Sequence, residues 1–129
     1  MRSVAPRRVY EDDRGAGTVT ALGVVGVLLV LALGVIGLAQ AQAASGRART
    51  AADLSALAGA TVVSSVTAPG DPCDAAQRVA GANGARLGEC TVKGEDVTVS
   101  VTVPVEVLGV PRHAQAQARA GPLNALPGL

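Results

Sequence analysis

The sequence predicts an α+β protein in which a single long N-terminal helix crosses a membrane and is followed by a short helix and a small antiparallel sheet. Three observations predict it. No charged residue occurs between Gly15 and Gly46. A helical segment with a clear start and stop follows Pro69-Gly70. Valine then occupies every odd position from Val97 to Val107, the period of two that marks a strand with one buried face.

The first element is the most constrained. From Val19 to Ala39 the only polar side chain is Thr20, and about twenty apolar residues span a hydrocarbon core at a rise of about 1.5 Å each. A helix apolar all round belongs in a large core or in lipid, and a chain of 129 residues with this segment removed has no such core. The expected organisation is a cytoplasmic segment over 1–14, a transmembrane helix over 15–43, an extracytoplasmic domain over 44–122 and a loose tail over 123–129. Orientation follows from arginine: Arg2, Arg7, Arg8 and Arg14 precede the segment, against Arg47 and Arg49 just after it, which places the N-terminus inside. A removable signal peptide is the rival, since Ala39-Gln40-Ala41 and Ala41-Gln42-Ala43 fit a small-x-small cleavage pattern. The apolar run is longer than the usual signal and its leading segment is diluted by Glu11-Asp12-Asp13, which favours retention.

Within the run, Gly23, Gly26, Gly34 and Gly37 fall inside an arc of about 80° on a regular helix. In lipid such a face admits the close approach of a second helix. With 16 glycines in the chain, compositional drift is the equal alternative at this point.

Helical composition continues beyond the membrane, with Ala44, Ala48, Ala51, Ser55 and Ala58 recurring at three- and four-residue steps. Arg49 and Asp53 add an i, i+4 pair in the less favourable order. One helix is expected to run to about Val63 and to stop before Ala68-Pro69-Gly70. In the short helix, Asp71 serves as N-cap, Pro72 suits the first position, Asp74 favours the dipole, and Asn83-Gly84 ends it. Its apolar face is Ala75, Ala76, Val79 and Ala80. A first strand is expected over Leu87–Val92, turning at Gly94 into the valine ladder. Pro104 belongs at a strand end or on an edge, because it has no N–H for the ladder. From His113 to Ala120 composition favours helix, but Ala114, Ala116, Ala118 and Ala120 alternate with polar residues, and the alternation predicts a strand.

With Tyr10 the sole aromatic residue, the core must be packed from Val, Leu and Ala, and so small a domain is marginal without a staple. Cys73 and Cys90 are the only cysteines; outside the cytoplasm they are expected to pair, stabilising by about 3 kcal/mol in the chain-entropy model. No metal site, cofactor or small-molecule substrate is expected, since His113 is the only histidine and there is no CxxC. Ser45, Ser55, Ser64 and Ser65 lie in no nucleophile motif, no phosphate-binding glycine loop is present, and the net charge of +1 has no basic stripe for nucleic acid. The sequence does not read as an enzyme.

The plan from Arg14 to Pro122 resembles the TadE/TadG-like family, the pilin-like components of Tad/Flp pilus and secretion systems, and more narrowly its short actinobacterial TadE-like members. Three stretches carry the resemblance: Arg14-Gly-Ala-Gly-Thr-Val-Thr20 leading into the apolar helix, Arg49-Thr-Ala-Ala-Asp-Leu-Ser-Ala-Leu-Ala58, and the run from Cys73 through Val79–Leu87 and Cys90 to the valine ladder and the Ala-x-Ala-x-Ala ending. One position departs. Many TadE-like chains have Val-Glu where this one has Val19-Thr20, and if Gly15 were a processing glycine, Thr20 would occupy the position of the pilin glutamate. The resemblance implies a pilin-like fold and a minor or pseudopilin-like role in a Tad-type pilus or secretion apparatus, with the membrane and other pilin-like or Tad-type membrane proteins as partners. The glycine face and the alanine stripe would pack against those partners. A secreted soluble binding protein with a cleaved signal, and a small single-pass membrane regulator, are the readings from other classes.

Overall fold

The structure, a computed structural model, describes residues 9–67 and 69–122. Arg2, Arg7, Arg8, Ala68 and the tail over 123–129 lie outside the described residues. The elements in chain order are α1 (Val9–Ser64), α2 (Pro72–Ala82), β1 (Arg86–Lys93), β2 (Asp96–Val107) and β3 (Val110–Ala120). The architecture is α+β, with a long apolar N-terminal helix, a short helix and a three-stranded antiparallel sheet of order β1-β2-β3. The chain divides into two compact units, 1–37 and 38–129.

In the first unit all described residues belong to α1. The helix is already formed at Val9, ahead of Gly15 where the uncharged run starts, and no proline lies between them to break it. The large side chains from Val19 to Ile36 are between 48% and 70% exposed.

The second unit holds the core. β2 is its central strand, and it presents Val97, Val99, Val101 and Val103, all buried, on one face. The same face of β3 supplies Ala120, Ala118, Ala116 and Ala114, each paired with the corresponding valine. Valine beside alanine in every rung makes a shallow surface, and a helix can settle closely onto it. The C-terminal part of α1 does so: Ala48, Ala51 and Ala52 pack with Val101 and Val103, and Ala56 packs with Val97 and Val99. From α2, Ala80 joins the first cluster and Ala76 the second. Among the described residues no fully buried side chain is larger than valine, so the fit rests on backbone proximity where other cores use bulk.

The caps of α2 are as expected. The Asp71 carboxylate accepts the Cys73 N–H at 2.8 Å, and Asn83 is the C-cap, followed by Gly84 at a φ of 71°. Three strand readings are refined. β1 is longer by a residue at each end than Leu87–Val92, and β3 begins at Val110, three residues before His113. Pro104 lies inside the middle strand of the sheet and not at a strand end, yet on a locally free edge, the second of its two expected placements. It is tolerated because β1 stops pairing at Thr102, so β2 is locally an edge from Val103 onward. β2 and β3 are joined by Leu108-Gly109, whose φ values of 51° and 77° are both positive, the pattern of a type I′ hairpin turn. Leucine is an unusual occupant of that region, and the Leu108 N–H is held by the Gln40 side-chain oxygen at 3.0 Å.

Candidate membrane and packing sites

Taken by itself, the first unit offers a helix surface and little else. Between Val19 and Leu38, thirteen large aliphatic side chains are exposed. Full burial of each contributes about 1.5–3 kcal/mol; with the thirteen each 48–70% exposed, leaving the set in water forgoes on the order of 10–25 kcal/mol. That is as large as the whole net stability of an ordinary domain. The helix has the length and apolar composition of a membrane span. The one polar side chain between Val19 and Ala39 is already satisfied: the Thr20 hydroxyl donates to the Ala16 carbonyl oxygen at 2.8 Å. Threonine back-bonded in this way can sit in lipid without a partner, whereas a glutamate at that position would need one.

Of the four glycines on the predicted face, Gly23, Gly26 and Gly34 have open space where a Cβ would be, and Gly37 is buried. The small residues farther along α1, in the second unit, have a different use. Ala44, Ala48, Ala51 and Ser55 are buried, Ala58 is half-buried, and Ala52, Ala56 and Gly59 are buried beside them. This corrects the expectation that the alanine stripe packs against partner proteins. Ala48, Ala51, Ala52 and Ala56 are consumed inside the chain's own domain, between α1 and the valine face of the sheet. The closest approach is at Gly59, where an added Cβ would come within 2.8 Å of Val97 Cγ1 and 3.1 Å of the Pro72 carbonyl oxygen. Ser55 lies in this seam with its hydroxyl buried and without a hydrogen-bond partner.

Cys73 and Cys90 are joined as a disulfide across a Cα–Cα distance of 5.9 Å, linking the first turn of α2 to β1. A β-bulge sets its geometry. Leu87 pairs with Val101 and Glu89 with Ser100, leaving Gly88 as the extra residue. Leu87 and Cys90 are three apart, and strict alternation would send them to opposite faces; the bulge turns both toward the core, where each is half-buried. The Glu89 N–H donates to Ser100 Oγ at 3.0 Å, and a Cβ on Gly88 would meet that same hydroxyl at 3.1 Å. Sequence reasoning missed the bulge, although the odd spacing between the apolar Leu87 and the half-apolar Cys90, with glycine between them, was the available signal.

His113 is exposed on β3, opposite Pro104. Among the described residues, no group of three or more His, Cys, Asp or Glu side chains could hold a metal ion. Arg119 and Asp96 form an ion pair at the other end of the β2–β3 ladder, with the arginine side chain largely exposed.

Comparison with known proteins gives one match. Residues 15–62 match the model of the Tad family, described as Flp pilus-assembly TadE/G-like. The matched segment takes in the apolar helix and the buried seam up to Gly59, and over that length the chain is similar to the TadE/G-like family, in line with the resemblance read from its sequence. No curated protein and no solved structure matches the chain.

Proposed function

From the TadE/G-like character of residues 15–62, we propose that this protein is a membrane-anchored component of a Tad/Flp-type pilus assembly or secretion apparatus. It acts in a minor or pseudopilin-like capacity by packing its membrane helix against partner proteins and has no catalytic role. The observation that carries the reading is the coincidence of the family match with an exposed apolar stretch of α1, Val19–Ala39, whose only polar side chain, Thr20, is internally satisfied. The arginine bias supports a cytoplasmic N-terminus, and the Cys73–Cys90 pair supports a domain on the oxidising side. Retention of the helix is supported by Gln40. Cleavage after Ala41 or Ala43 would remove the side chain that holds the Leu108 N–H, at the one non-glycine position among the described residues with positive φ.

With the alanine seam already occupied, the glycine face over Gly23, Gly26 and Gly34 is the surface left for a partner helix, with Gly37 at its buried end. Substituting Gly26→Leu or Gly34→Leu blocks close approach and favours insertion. Ala32→Leu, on the opposite side, controls for bulk. In-membrane crosslinking of the full chain is expected to fall for the glycine variants alone. Equal loss from both faces, or loss from neither, would leave the glycines as composition.

A further inference from the structure

The β2–β3 hairpin tip carries more apolar surface than a solvent-facing turn needs. Leu108 and Val110 are 52% and 51% exposed, and Pro111 beside them is exposed as well. The tip is tied to α1 at one defined height by the hydrogen bond from the Leu108 N–H to Gln40 Oε1. Gln40 is the first polar residue after the apolar run that ends at Ala39. From Val19 to Ala39 the helix rises about 31 Å, close to the roughly 30 Å of a hydrocarbon core. A side chain at the level of Gln40 therefore lies where hydrocarbon gives way to headgroups. Resting on the anchored reading above, we propose that the hairpin tip, Leu108–Pro111, dips into the interfacial layer of the bilayer that α1 crosses and gives the domain a second membrane contact.

The surroundings fit a lipid surface. Just behind the tip is a cavity of about 420 Å³ between Ala41 and Ala44 of α1 and Val105, Val107, Arg112 and His113 of the hairpin. Residues 41–44 are the first turn of α1 past the apolar run, the height of the headgroups, whose layer is about 5–8 Å deep on each side. Arg112 lines the same cavity and is paired with Val105 in the ladder, a placement that suits a side chain reaching lipid phosphate. Glu106, paired with Pro111, is exposed on the opposite face of the same hairpin end, close enough to offset that positive charge in part. Apolar insertion thus carries the contact, with little dependence on anionic lipid.

The chain has no tryptophan, so one introduced residue reports alone. Full-length Leu108→Trp, Val110→Trp and Val92→Trp proteins are reconstituted into phosphatidylcholine vesicles, with and without phosphatidylglycerol. Val92, 40% exposed, lies at the far end of the sheet, paired with Val97. At Val110, tryptophan suits a strand position, which covers the case in which the turn does not accept it at 108. Lipids brominated high on the acyl chain are expected to remove most of the emission at 108 and 110, whereas aqueous iodide removes it at 92. The two lipid compositions should agree. Vesicle flotation reports the anchor separately, so a protein that floats with the vesicles yet has a wet tip sinks this inference and leaves the anchored reading standing. Iodide quenching at all three positions overturns the proposal. So does shielding of 108 and 110 from both quenchers, which marks a protein contact, and so does lipid quenching at all three, which marks a domain lying flat.

Discussion

Replacing Gly59 with alanine tests the helix–sheet seam most directly, because two effects of known size oppose each other there. In an open helix the change stabilises by about 1 kcal/mol, since glycine is the costlier helix residue. At Gly59 the new methyl would sit 2.8 Å from Val97 Cγ1 and 3.1 Å from the Pro72 carbonyl oxygen, well inside an ordinary carbon contact of about 3.5–4.0 Å. Neither neighbour yields easily. Val97 is fully buried and β-branched, and the Pro72 oxygen is backbone in the first turn of α2. Overpacking of this kind costs about 1–3 kcal/mol, so the net effect is a destabilisation of up to about 2 kcal/mol. Gly81→Ala is the matched control: it is also helical, with open space where the methyl would go, and should gain about 0.5–1 kcal/mol. The assay is amide hydrogen exchange of the Val97–Val103 segment in the full-length protein in micelles, under conditions where exchange reports opening free energy. Protection should fall up to about thirtyfold for Gly59→Ala, at tenfold per 1.4 kcal/mol, and rise for Gly81→Ala. If Gly59→Ala protects β2 as well as Gly81→Ala does, α1 does not lie against Val97, and the account of the core is wrong.

Two further outcomes follow from the same core. Ser55→Ala removes a buried hydroxyl without a partner and inserts a better helix former; it should raise stability by about 1 kcal/mol, seen as a higher urea midpoint at unchanged slope. The Cys73→Ser, Cys90→Ser double variant opens a loop of sequence separation 17 and should lose about 3 kcal/mol. Its β2 segment should lose exchange protection to match, and non-reducing peptide mapping of the parent should recover the Cys73 and Cys90 peptides linked. Two free thiols in the parent would refute the staple.

What could be read from sequence was what periodicity and capping encode. The valine ladder, the alternation of Ala114 through Ala120 and the punctuation of α2 by Asp71, Pro72 and Asn83 were legible because each is a local rule written in adjacent residues. Three features were not. Leu108-Gly109 lacks the Asn-Gly or Asp-Gly chemistry of its turn type, and its leucine is held by Gln40, 68 positions away. Pro104 is acceptable in a central strand only because β1 is too short to reach it, a fact about another element. The alanine stripe showed that some surface must come close to α1, but small residues say nothing of which surface. The chain's own sheet and a neighbour's helix make the same demand on Ala48, Ala51 and Ser55. The glycine face, whose partner would come from outside the chain, is legible only as far as that.

The bulge at Gly88 has a consequence for how this domain can change in length. Side-chain alternation works as a two-letter reading frame, and an extra residue on one strand is an insertion that the pairing has absorbed. Deleting Gly88 would let Glu89 follow Leu87 in plain alternation, with Leu87 still opposite Val101 and Cys90 still opposite Val99. Deleting Thr91 instead, with the turn at Gly94 fixed, would carry Cys90 to the outer face and strand Cys73. Within β1, loss of Gly88 leaves both faces in register, whereas a loss between Cys90 and the turn scrambles them. A strand that tolerates shortening at one site and forbids it three residues later constrains where insertions and deletions can survive in this domain.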